Sequence, residues 1–276
     1  MRKSLFKRII LGAVAGVGLF SLASCGKSNK WEIKDDAKKI TVAASPTPHA
    51  EILGVAKDIL AKDGYTLKIK EYTDYVQPNL AVEDGDVDAN YFQHTPYLED
   101  FNKENNTHIV SVGGVHYEPF GIYAGKKSSI SEKTGLTIAI PNDGTNEARA
   151  LLLLQQEGFI TLNEGIGLTA TKLDIKETNG NTIVELEAAA ISGSRSDNDL
   201  VILNGNYALA ANLKVSDALA VEAADSLAAD TYVNILAVRD GNQDKAIVKA
   251  LYKALTSAEV KTFIENTYEG SVVAKF

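Results

Sequence analysis

From Ile40 onward, short apolar or β-branched runs alternate with stretches of helical pattern. That alternation confines the chain to an α/β architecture in which helices cover the sheets. Ile40–Ala44, Leu67–Glu71, Val87–Phe92, Ile109–Val112, Thr137–Ile140, Leu200–Leu203 and Val233–Val238 read as strands. His49–Ala61, Val76–Glu83, the stretch from Thr95 through Asn102, Asn146–Glu157, Asp244–Leu255 and Ala258–Asn266 read as helices, with Ser45-Pro46-Thr47-Pro48 as a turn and cap. About 250 residues of such alternation is long for one core and suits two lobes.

Residues 1–24 read as a processing signal. Arg2, Lys3, Lys7 and Arg8 precede an apolar run, Ile9–Phe20, too short to span a bilayer comfortably. Leu22-Ala23-Ser24-Cys25 ends it and resembles a bacterial lipobox, which makes Cys25 the expected lipidation site and the new N-terminus; an ordinary secretory signal with an incidental cysteine is the alternative. Cys25 is the only cysteine, so a disulfide, a cysteine nucleophile and a cysteine metal site are all excluded past it. Residues 25–39 are polar, carry one tryptophan and read as a membrane tether.

The leader holds four positive residues and no acid, so the remaining chain carries −12 against −8 for the whole. An acidic chain is a poor nucleic-acid ligand, because that affinity comes mainly from Lys and Arg on phosphates. Neither a Gly-rich phosphate loop, nor H-E-x-x-H, nor G-x-S-x-G occurs past the leader. The four histidines, His49, His94, His108 and His116, show no ligand spacing, and no acidic pair is marked as catalytic. No catalytic residue, metal site or cofactor is therefore expected, which argues against an extracellular hydrolase.

Three stretches point to a binding site. In Asp88–Phe101 a strand runs into a helix start at Thr95-Pro96, with Thr95 as the expected cap. That junction lies at a sheet rim, where open α/β sheets bind ligands. Phe92, His94 and Tyr97 are thus placed to line a pocket wall, or else they are core aromatics and a satisfied histidine. In Pro141–Arg149, Thr145 is an N-cap candidate, and Arg149 sits near the helix start, where the dipole disfavours a cation. Arg149 therefore implies a nearby anion: a bound ligand, or Glu147 or another acid at the surface. Asn204 and Asn206 follow the Leu200–Leu203 strand, and Asn234 interrupts an apolar one, where a buried amide needs partners.

The blocks TDYVQPNLA, DANYFQHTPYLEDFN, SVGGVHYEPFGIYA, PNDGTNEARALLLLQ, VELEAA, LNGNYALA and NILAVR, in this order, resemble the methionine-binding lipoproteins of the MetQ/NlpA type. Those are the substrate-binding components of ABC importers. The resemblance implies a two-lobed α/β periplasmic-binding-protein (type II-like) fold with a ligand cleft between lobes. Residues 40–121 and 239–276 would form lobe 1 and residues 122–238 lobe 2, with crossings at Glu118-Pro119-Phe120-Gly121 and Ala237-Val238-Arg239. It further implies that Tyr75, Phe92, His94 and Tyr97 surround a methionine side chain, where aromatic rings suit a thioether. Arg149 would hold the ligand carboxylate, with Asn204, Asn206 and Asn234 beside it. Gly144 and Ala148 depart from the family's usual Pro and Gly. The implied partners are an ABC permease, its ATPase, and the membrane through the N-terminal lipid on the extracytoplasmic face. The rivals are D-methionine, another amino acid, or a methionine-containing dipeptide, for which Gly144 leaves room. A surface adhesion lipoprotein is the rival of another class.

Overall fold

A computed structural model describes residues 29–222 and 230–276; Cys25 and the leader lie outside the described residues. The first sheet holds six strands in the spatial order β13 (Val273–Ala274), β4 (Ile109–Tyr117), β12 (Asn234–Arg239), β3 (Ala89–His94), β1 (Lys39–Ala44) and β2 (Thr66–Glu71). β1 runs parallel to β2 and β3, whereas β12 is antiparallel to β3 and β4. Every residue of β3 is buried, as expected of a central strand covered on both faces. Helices α1 (Glu51–Lys62), α7 (Ala246–Leu255) and α8 (Ala258–Tyr268) pack Ile52, Leu53, Leu251 and Ile264 against Ile40, Val42, Leu236 and Val238. Each such side chain contributes roughly 1.5–3 kcal/mol on burial.

The second sheet has the order β11 (Ala220–Val221), β5 (Gly121–Ala124), β10 (Leu200–Leu203), β6 (Thr137–Pro141) and β9 (Thr182–Leu186). β10 is wholly buried between antiparallel β5 and parallel β6, which explains its unbroken Leu-Val-Ile-Leu run. Helix α4 (Gly144–Gln156) covers this sheet through Ala148, Leu151 and Leu154.

The chain leaves β4 at Tyr117 and enters β5 at Gly121, so Glu118-Pro119-Phe120 joins the two sheets. Its way back runs between Val221 and Asn234. The Glu222 N–H donates to the Phe120 carbonyl at 3.0 Å, placing the two connections side by side. Ala237-Val238-Arg239, expected as the return, lies instead inside β12. Residues 234–238 pair with β3 and β4 of the first sheet because Leu236 and Val238 bury in that sheet's core.

The expected tether is partly docked. Ile33 is buried, its N–H donates to Asn242 Oδ1 at 3.0 Å, and the Arg239 guanidinium lies 4.8 Å from the Trp31 ring centre. β4 continues beyond the expected end at Val112 through Gly113 and Gly114. A Cβ at Gly113 would lie 2.4 Å from the Tyr252 ring, so glycine here makes room for an aromatic packed across the strand.

Candidate functional site

A cavity lies between the sheets. All eight residues singled out in the sequence, Tyr75, Phe92, His94, Tyr97, Arg149, Asn204, Asn206 and Asn234, line it. Gln93, Glu118, Asn146 and Gly205 complete the lining. Glu118 was legible only as part of a crossing.

One wall is aromatic. The Tyr75 ring centre lies 5.8 Å from Phe92 and 5.7 Å from Tyr97, and Phe92 meets Tyr97 edge-on at 6.1 Å. β3 and the helix that follows it, α3 (Thr95–Asn105), supply Phe92 and Tyr97. The Tyr97 hydroxyl donates to the Tyr75 carbonyl at 3.1 Å and fixes the loop that carries Tyr75. Burial pushes the Tyr75 and Tyr97 phenols well up, so both stay neutral donors.

His94, not Thr95, caps α3. Its Nδ1 accepts from the Tyr97 N–H at 3.2 Å, so Nε2 carries the proton and donates to Asn146 Oδ1 at 3.2 Å. Burial, helped by the charge of Arg149, lowers the His94 pKa to about 3. His94 is therefore a neutral bridge between α3 and α4 rather than simply a wall for a side chain.

Asp143, not Thr145, caps α4. Its Oδ1 accepts from the Asn146 N–H at 3.0 Å and from Asn146 Nδ2 at 2.8 Å. The Asn146 Oδ1 also accepts from Asn204 Nδ2 at 2.8 Å. This leaves the Asn204 Oδ1 buried with no hydrogen-bond partner, one of two such side-chain atoms among the described residues. A buried acceptor left open costs about 1–3 kcal/mol unless something donates to it.

Arg149 falls in the second turn of α4 and is only 4 % exposed, so it is not a surface residue. The anion it requires is Glu222. Nε donates to Glu222 Oε1 and Nη2 to Oε2, both at 2.7 Å, and Nη2 also reaches the Glu118 carbonyl at 3.0 Å. The guanidinium lies 4.4 Å from the Tyr232 ring centre and 4.6 Å from that of Phe120. Burial would lower the Arg149 pKa, but the Glu222 carboxylate outweighs it and the net shift is upward. Nε and Nη2 are thus both engaged. Glu147 plays no part in this pairing; it accepts from the Lys172 N–H at 2.6 Å.

Glu118 is buried at the same polar end. Its Oε1 accepts from His116 Nε2 at 2.8 Å, and the Asn206 N–H faces the carboxylate. Burial pushes its pKa up. A Cβ on Gly205 would lie 2.6 Å from Glu118 Cβ and 2.7 Å from Oε2, so the carboxylate is seated directly on that glycine.

The cavity is closed by contacts between elements of the two sheets. The Tyr75 hydroxyl donates to Asn206 Oδ1 at 2.5 Å, and the Tyr207 hydroxyl to the Thr73 carbonyl at 3.1 Å. Both residues 206 and 207 belong to helix α6 (Gly205–Ala210), and the Tyr75 and Tyr207 rings meet in a tilted arrangement, centres 4.9 Å apart. Gly144 is not part of the lining; it faces Asp100, so it adds no room at the arginine end.

Residues 40–276 match the model of the family described as NlpA lipoprotein. The chain belongs to the NlpA lipoprotein family. Among its NlpA-type relatives, the methionine-binding lipoprotein MetQ of Bacillus subtilis is 41% identical over 274 residues, covering 97% of this chain and 98% of the relative. The D-methionine-binding lipoprotein MetQ of Salmonella typhimurium is 38% identical over 264 residues, covering 93% and 94%. A nutrient binding protein from Burkholderia cenocepacia, solved bound to methionine, superposes with a TM-score of 0.81 at 43% identity, covering 86% of this chain and all of that one.

Proposed function

We propose that this NlpA-family chain is the substrate-binding component of an ABC importer and captures methionine in the cavity between its two sheets. The observation that carries the reading is the buried, unpartnered Asn204 Oδ1 in a cavity that also holds the Glu118 carboxylate. Two acceptors there suit an α-ammonium, which donates three hydrogen bonds. The Arg149 guanidinium and the asparagine amides suit the α-carboxylate, and Tyr75, Phe92 and Tyr97 suit an apolar thioether. The relatives named for methionine and D-methionine support the class of ligand and leave its hand to a competition between the two enantiomers.

The lobes follow from the sheets: residues 40–120 with 234–276, and residues 121–222, hinged at the paired connections around Phe120 and Glu222. Cys25 carries the lipid that holds the protein on the extracytoplasmic face. No helix among the described residues is long and apolar enough to cross a membrane. A permease and its ATPase are the partners this role requires.

Side-chain and backbone recognition separate by mutation. Phe92→Ala should weaken methionine about tenfold or more while leaving weak alanine binding nearly unchanged, because only methionine reaches the aromatic wall. Asn204→Ala should weaken every α-amino acid by a similar factor. Equal effects of Phe92→Ala on methionine and alanine would refute the proposed orientation.

A further inference from the structure

Behind the cavity, away from any ligand, lies a buried group that the binding reading does not use: His49, Tyr91 and His116. Among the described residues, His49, His116 and Glu118 form the one cluster of three with metal-ligand chemistry. Its hydrogen bonds define a different task. His49 Nε2 lies 2.9 Å from Asn234 Oδ1 and 3.4 Å from Glu118 Oε1. Both neighbours are acceptors, so Nε2 carries the proton. Its Nδ1 is buried without a partner. His116 Nδ1 is bonded to the Tyr91 hydroxyl, and a phenol donates readily to an imidazole nitrogen. Its other nitrogen, Nε2, then holds the proton and donates to Glu118 Oε1 at 2.8 Å. Burial keeps both rings neutral, with pKa values lowered to about 4 for His49 and about 3 for His116.

Each histidine thus fixes one cavity residue from behind. With Oε1 accepting from His116, the ionised Glu118 carboxylate keeps Oε2 as an acceptor for the cavity. With Oδ1 held by His49, Asn234 is locked in one amide orientation and has its amide nitrogen left for a ligand. We infer that the buried His49–His116 pair sets the donor–acceptor polarity of the ligand cavity, making Glu118 the acceptor for an ammonium and Asn234 the donor for a carboxylate. The histidines are positioning residues for amino-acid selectivity. This rests on the methionine-binding reading and extends it to residues that never touch the ligand.

The experiment compares three probes on ligand-stripped protein: methionine, its des-amino analogue, which lacks the ammonium, and methioninol, which lacks the carboxylate. His116→Phe should cut the preference for methionine over the des-amino analogue by roughly tenfold or more, the scale of a charge-assisted hydrogen bond. His116→Gln, which keeps a donor, should restore much of that preference. His49→Leu should instead cut the preference for methionine over methioninol. Tyr91→Phe, a milder change that leaves the histidine in place, should shift the first preference in the same direction and covers the case in which His116→Phe does not fold. Equal losses for all three probes, or no change, would overturn the inference while leaving methionine binding intact. Stoichiometric metal in the purified wild-type protein would overturn it too. Wild-type protein that binds none of the probes would overturn the binding reading itself, and the inference with it.

Discussion

Replacing Arg149 with alanine tests how far the site and the hinge are one structure. The guanidinium makes three hydrogen bonds to the two connections between the sheets: two to Glu222 and one to the Glu118 carbonyl. The Arg149 and Glu222 side chains are 4% and 8% exposed, so the pair is buried. Removing one partner of a buried pair strands the other charge and costs about 3–5 kcal/mol. In a protein of this size each kcal/mol moves Tm by about 2–4 °C. Ligand-free Arg149→Ala should therefore melt about 6–20 °C below the wild type. Arg149→Ala combined with Glu222→Ala should recover part of the loss, since no unpaired charge remains. Thermal unfolding by circular dichroism, on protein freed of ligand by unfolding and refolding, reads both. A shift under about 2 °C for Arg149→Ala would show that the pair does not hold the connections, and the hinge reading would fall.

Two further substitutions probe the polar end and the anchor. Gly205→Ala should displace Glu118, because its Cβ would meet Glu118 Cβ at 2.6 Å and Oε2 at 2.7 Å; methionine affinity measured by calorimetry should drop about tenfold or more, with the far-UV spectrum unchanged. Unaltered affinity would mean that Glu118 does not contact the ligand. Cys25→Ala should move the protein from the membrane to the soluble fraction or block its processing; a variant still processed and still membrane-bound would rule out the lipid anchor.

The sequence exposed elements whose signal is local and concealed those that depend on distant partners. Leu200–Leu203 is readable to the residue because a strand buried on both faces is uniformly apolar. β4 extends past its expected end because Gly113 and Gly114, normally breakers, are covered by Tyr252 and Val233 respectively, both far along the chain. Both helix caps fall one or two residues earlier than expected. His94 and Asp143 outcompete the neighbouring threonines because their side chains also serve the cavity, His94 through Asn146 and Asp143 by holding Asn146. The eight lining residues were accessible through the family resemblance. Glu118 was not singled out, since a lone acid beside a proline carries no local mark of burial. Arg149 correctly signalled an anion, but Glu222 lies 73 residues away and no sequence pattern links them.

Titration calorimetry of ligand-stripped protein with methionine tests the central claim most directly. Nanomolar binding is physically open to so small a ligand at the ceiling of about −1.5 kcal/mol per heavy atom. The account predicts one site per chain with a Kd in the micromolar range or tighter, and far weaker binding of alanine, which leaves the aromatic wall unfilled. Absence of heat and of any thermal shift with either enantiomer of methionine would contradict it.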